Sequence, residues 1–162
     1  MNRKIKNLTF GGIFIAIYFI LTNINPLSWG AIQVRFSEML LLIPFWNKKY
    51  TPYAIISVMF ANLFSPLGLI DVICGGVIAI IAYYIINPVF ESSMSKKYST
   101  LAMSIIIYPI IAGLIVGIEL SLVYELPYIA SATSVMIGQV ICGIPSYFIN
   151  NKLVPLMDKY WR

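Results

Sequence analysis

Histidine is absent from this chain, and charge of either sign is scarce: Asp, Glu, Lys and Arg together make up 10% of the residues. Without histidine, the commonest metal ligand and the proton carrier of neutral pH are both missing. No G-x-x-x-x-G-K-[ST] loop is present to cradle nucleotide phosphates, and there is no C-x-x-C pair. These absences exclude ATP hydrolysis by P-loop chemistry and leave no metal-ligand cluster in view. An acid/base enzyme could be assembled from Glu38 and Asp71, but no activated nucleophile accompanies them. The chain therefore reads as a non-enzyme without a cofactor. Cysteine is nearly absent too. Cys74 and Cys142 both lie within apolar segments and read as small core residues rather than a disulfide. No internal repeat of the kind that builds many secondary transporters is visible.

What is abundant is apolar side chain: 60% of the residues, with a mean hydropathy of +0.87. A soluble domain carries roughly 25% charged residues, and this composition cannot cover a water-facing surface. The fold class is an all-α integral membrane protein in which the whole chain, residues 1–162, forms one domain. A spanning helix needs about 20 mostly apolar residues, so a bundle of six transmembrane helices would occupy most of the length. Breakers and charges place them at about 9–25, 32–46, 51–65, 69–87, 100–124 and 127–153. The second and third are short for a 30 Å hydrocarbon core at 1.5 Å rise per residue. The basic N-terminus followed by an apolar run resembles a secretory signal, but no small-residue cleavage site follows, and it reads as the first helix.

The basic residues give an orientation. Arg3, Lys4 and Lys6, then Lys48 and Lys49, Lys96 and Lys97, and finally Lys152, Lys159 and Arg162 all fall on one side of such a bundle. The positive-inside rule then puts both termini in the cytoplasm of a multi-pass cell-membrane protein. The net charge of +5 follows from topology and contact with lipid headgroups, with no nucleic-acid partner implied.

Arg35 is the one basic residue left over, and it sits in an apolar stretch, "AIQVRFSEMLLLIPFW". Glu38, Asp71 and Glu119 are likewise within or at the ends of the expected spans. A charge at membrane depth costs on the order of 2.5–3.5 kcal/mol by insertion scales. All four fall in the outer halves of three different helices, which predicts a polar pocket opening outward. Arg35 could instead lock helices by pairing with Glu38 or Asp71, and Asp71 could serve as a first-turn acid of its helix. One arginine does not neutralise three carboxylates. The excess favours a ligand that donates hydrogen bonds, carries positive charge, or both. Asn62 and Gln139 are weaker polar candidates that could equally be interhelical hydrogen bonds. Trp29, Phe36, Tyr108 and Tyr128 are placed to line or cap the pocket, although Trp29, Tyr124 and Tyr128 also fit an interfacial belt. Gly12-x-x-x-Ala16 and Gly113-x-x-x-Gly117 each flatten a helix face for close approach, within the bundle or by a partner.

Three segments, "IQVRFSEML", "NLFSPLGLIDVICGG" and "IVGIEL", resemble those of the queuosine-precursor substrate-binding (S) components of energy-coupling factor transporters, the QueT-like family. The resemblance implies an S component that captures its substrate from outside. It would join a transmembrane coupling subunit and two cytoplasmic ATPases, which supply the energy and motion that this small bundle lacks. In that setting Gly12 and Ala16 would meet the coupling subunit. The implied substrates are 7-deazaguanine bases, queuine or its aminomethyl and cyano precursors. Glu119, and then Glu38, would accept the paired donors of a guanine-like edge. Arg35, Asn62 or Gln139 would supply a donor to its carbonyl, Asp71 would add negative charge, and Trp29 or Tyr108 would stack on the ring. The resemblance leads one to expect a Gly-Glu pair where this sequence has Gly138-Gln139, which puts the preference among the bases in question. A stand-alone carrier for a cationic or nucleobase-like solute, an S component for another substrate, and an assembly protein whose charges only lock helices are the competing readings.

Overall fold

The computed structural model describes residues 3–29 and 33–160, and the described chain is all-helical. Among the described residues, four helices are long and apolar enough to cross a membrane: α1 (Arg3–Ile24), α4 (Leu69–Ser93), α5 (Lys96–Tyr124) and α6 (Tyr128–Tyr160). Between α1 and α4 lie a four-residue helical turn α2 (Glu38–Leu41) and the shorter helix α3 (Thr51–Asn62). With apolar side chains such as Leu8, Ile24, Ile73, Leu122 and Ile129 exposed around the bundle, the protein is a multi-pass membrane protein.

At one end, the sequence boundaries and the helices agree to within a residue: Ile24, Leu69, Tyr124 and Tyr128. At the end rich in lysine the helices overrun by several residues, starting at Arg3 and Lys96 and stopping at Ser93 and Tyr160. Hydropathy marks where lipid contact ends, whereas helical hydrogen bonding continues into the headgroup region. Arg162, counted above with that basic side, lies outside the described residues. Pro88 and Pro109 were natural places to end or kink a helix. Instead each follows a π-helical turn, Ile81–Ile86 and Met103–Ile107, whose wider winding accommodates the missing N–H within a continuous helix.

The expected helix over 32–46 is a correction. Ile32 lies outside the described residues, 33–35 are non-helical, a turn follows at 36–37, and only Glu38–Leu41 is α-helical before a 3₁₀ turn at Ile43–Phe45. Pro44 removes an N–H that a continuing helix would need. The segment runs through the middle of the bundle, with Leu41, Leu42, Ile43 and Phe45 all fully buried. Non-helical backbone survives at membrane depth only where protein satisfies its polar groups, and here three side chains, two of them from helices, do so. Asn25, just past α1, donates to the Val34 carbonyl at 2.5 Å. Tyr83 of α4 donates to that of Leu41, and Asn150 of α6 to that of Met39 at 2.8 Å. Gly138 is the contact that lets α6 approach: a Cβ there would collide with the carbonyl of Gln33.

The two small-residue pairs do different things. A Cβ on Gly117 would stand 2.7 Å from that of Ala132, and one on Gly113 would meet Met136, so this pair lets α5 pack on α6. Gly12 and Ala16 face outward, and nothing lies within 4 Å of a Cβ placed on Gly12.

Candidate functional site: a buried cluster of charge

Three chain segments deliver the central charges. Arg35 comes from the non-helical run, Glu38 begins α2, and Asp71 sits in the first turn of α4, where an acid is favoured. Arg35 and Glu38 share a side without a helix between them, because the turn bonds the Glu38 N–H to the Arg35 carbonyl at 3.0 Å. Arg35, Glu38 and Asp71 are 3–5% exposed.

The guanidinium is held from several directions. Its Nε donates to the Ser28 carbonyl at 2.9 Å, one terminal nitrogen donates to Asn62 Oδ1 at 3.2 Å, and the other stands 3.5 Å from Asp71 Oδ2 without hydrogen-bond alignment. The Trp29 ring lies 4.7 Å from its central carbon, a cation–π contact of roughly 2 kcal/mol when desolvated. Asn62, completely buried, returns a hydrogen bond to the Asp71 carbonyl at 2.9 Å and so bridges the ion pair. Arg35 therefore pairs with Asp71 rather than Glu38. The Glu38 carboxylate instead accepts from the Tyr108 hydroxyl at 3.0 Å and interacts with Gln139.

Arg35, Glu38, Asn62, Asp71, Tyr108 and Gln139 thus surround one internal cavity. Its volume is about 20 Å³, room for about one water. A second, narrower crevice adjoins it through Gln33 and Asp71, and reaches Trp29, Ser65 and Tyr124 at the end of the bundle opposite the lysines.

Glu119 stands apart. It is 3% exposed, and neither carboxylate oxygen has a hydrogen-bond partner among the described residues. The Cys74 thiol on α4 lies near it, and Asp71 and Arg35 are within electrostatic reach. It lies next to residues of α5 that border both spaces, Val116 and Leu120, but does not itself line either. Phe36 is 49% exposed and Tyr128 38%, so both face outward and leave the pocket to Trp29 and Tyr108. Gly12 and Ala16 lie on the outer surface of α1 and take no part in the cavity.

Gln33 borders both spaces, yet a neutral amide beside two charges carries no signal of its own. Tyr18 and Thr22 were also missed. Both are fully buried, Thr22 donating to Ser37 at 2.7 Å and Tyr18 close to Glu38. Tyr18 and Thr22 are four residues apart, and Asn25, just past the helix, follows three residues later, a readable polar stripe along the apolar part of α1.

Comparison with known proteins places this geometry in context. The family profile described as QueT transporter matches residues 8–154. A relative named queuosine precursor transporter QueT, from Lactococcus lactis subsp. cremoris (strain MG1363), is 29% identical over 158 residues, with 90% of each chain covered. No solved structure matches the chain. A match across most of the length, joined to a charged cavity inside an apolar helical bundle, is sufficient for assignment: the chain belongs to the QueT family of transporters.

Proposed function

We propose that the protein is the S component of an energy-coupling factor transporter and captures a 7-deazaguanine queuosine precursor from outside the cell. The observation that carries this reading is the buried cluster, in which three carboxylates and a single guanidinium, paired with one of them, lie inside a membrane bundle. Glu38, beside Tyr108 and Gln139, is suited to accept the paired donors of a guanine-like edge. Asn62, Gln139 and Arg35 offer donors to the ring carbonyl, and Trp29 and Tyr108 offer aromatic faces. The cavity is smaller than a bicyclic base, so substrate must displace side chains or the 33–37 segment as it binds.

The expected topology is supported by position. Lys48, Lys49 and Lys96 gather around Glu91 and Asp158 at one end, opposite Trp29 and the crevice. With that end cytoplasmic, both termini are inside, the crevice opens outward, and α3 and the pinned segment complete a six-segment bundle. The outward-facing Gly12 and Ala16 leave α1 free to dock the coupling subunit, and two cytoplasmic ATPases would drive transport.

The test is calorimetry on the purified protein in detergent with queuine, the aminomethyl and cyano precursors, and guanine, using riboflavin as a control. Saturable binding of a deazaguanine, weakened at least about tenfold by Glu38→Gln, is expected. Folded protein that binds none of these bases would refute the substrate assignment.

A further inference from the structure

We propose that Glu119 is a charge-selecting residue, the counter-ion for a positively charged substituent on the ligand. The inference rests on the transporter reading above and adds a division of labour among its carboxylates. Asp71 is committed to Arg35 and Asn62. Glu38 is held by Tyr108 and borders the cavity where a heterocycle would sit. Among the described residues, Glu119 is the one carboxylate both buried and without a hydrogen-bond partner at either oxygen. The groups around it are the Cys74 thiol, the Asp71 carboxylate and the more distant Arg35, which is already engaged. None of them neutralises it.

A buried carboxylate without a partner is costly to keep, and a folded chain that retains one gains when a cation arrives. The position suits a substituent rather than the ring. Glu119 lies on α5 between Val116, which borders the inner cavity, and Leu120, which borders the crevice leading out. A heterocycle seated against Glu38, Tyr108 and Gln139 would send an exocyclic arm in this direction. A primary ammonium there gains a charge partner, whereas a nitrile gains nothing.

The experiment compares two probes on the same ring, aminomethyl-7-deazaguanine and cyano-7-deazaguanine, at one pH, by calorimetry on wild-type protein and on Glu119→Gln. Wild type is expected to prefer the ammonium probe by roughly tenfold or more. Glu119→Gln is expected to remove that preference by weakening the ammonium probe alone. Its thermal transition without ligand should not fall, because an unpaired buried charge has been removed. Glu119→Asp, which keeps the charge, should retain part of the preference. Equal affinity of wild type for the two probes, or equal weakening of both by Glu119→Gln, would overturn the assignment while leaving the transporter reading intact. Failure of wild type to bind either probe would overturn this assignment, and failure to bind queuine and guanine as well would overturn the substrate reading it rests on.

Discussion

The molecule holds acids at two ends, and their surroundings are opposite. At the lysine end, Glu91 takes Lys48 at 2.7 Å, Lys96 and the amide of Asn87. Asp158 takes Lys49 at 2.5 Å, both Asn47 contacts and the Tyr50 hydroxyl at 2.8 Å. Each acid there has more partners than it needs, and each is partly in solvent. In the buried cluster the ratio is reversed: there is one guanidinium for three acids, it pairs with Asp71, and Glu119 has no hydrogen-bond partner among the described residues. The first arrangement fastens the 47–50 turn to α4 and α6. The second leaves electrostatic work undone inside the bundle, which suits a site that must hold something else. Counting charges along the chain makes the two ends look alike, and only partner lists tell them apart.

The largest effect that should separate them is removal of the central cation. Arg35→Met leaves Asp71 buried without its partner, and a loss of about 3–5 kcal/mol is expected, read as a lower thermal transition in detergent. Adding Asp71→Leu to it should recover much of that stability, but not ligand binding. If Lys48→Met proves as damaging as Arg35→Met, the contrast drawn here is wrong.

An intermediate effect is expected from Gly138→Ala. The new methyl must push back the carbonyl of Gln33, and with backbone on both sides of the contact the strain should cost about 1–3 kcal/mol. Ligand affinity should fall with it, because the displaced segment carries Arg35. Unchanged affinity would mean that the segment yields without moving the guanidinium.

The smallest effects belong to the lysine end. Glu91 and Asp158 have side chains 19% and 26% exposed, and pairs of this kind contribute about 0–1 kcal/mol. Glu91→Gln and Asp158→Asn should therefore shift the thermal transition only slightly and leave ligand affinity unchanged by calorimetry.

Much of this was legible before the fold was known. The four long helices follow from hydropathy, and the convergence of Arg35, Glu38 and Asp71 follows from their depth once an orientation is assumed. Two things were not. The 32–46 run was read as a lipid-spanning helix because an apolar segment buried among helices and one facing lipid have the same composition. Pro44 was the only local hint, while the groups that make a non-helical path tolerable, Asn25, Tyr83 and Asn150, are remote in sequence. The choice of Asp71 over Glu38 as partner of Arg35 was also out of reach. It depends on Asn62 bridging α3 to α4, a contact that leaves no mark in the sequence, where Glu38 and Asp71 are equally open. Glu119 was visible as an acid without a basic neighbour in its helix, but not as one standing outside the cavity lining.

The carbonyl pins on the 33–41 segment move its mutational sensitivity elsewhere. Every residue offers the same backbone carbonyl, so Val34, Met39 and Leu41 can exchange apolar side chains while keeping the hydrogen bonds that hold them in place. Asn25, Tyr83 and Asn150 have no such latitude, since the bond resides in the side chain itself. Within this family, drift in the segment and constancy at these three distant positions would be two signatures of the same structure.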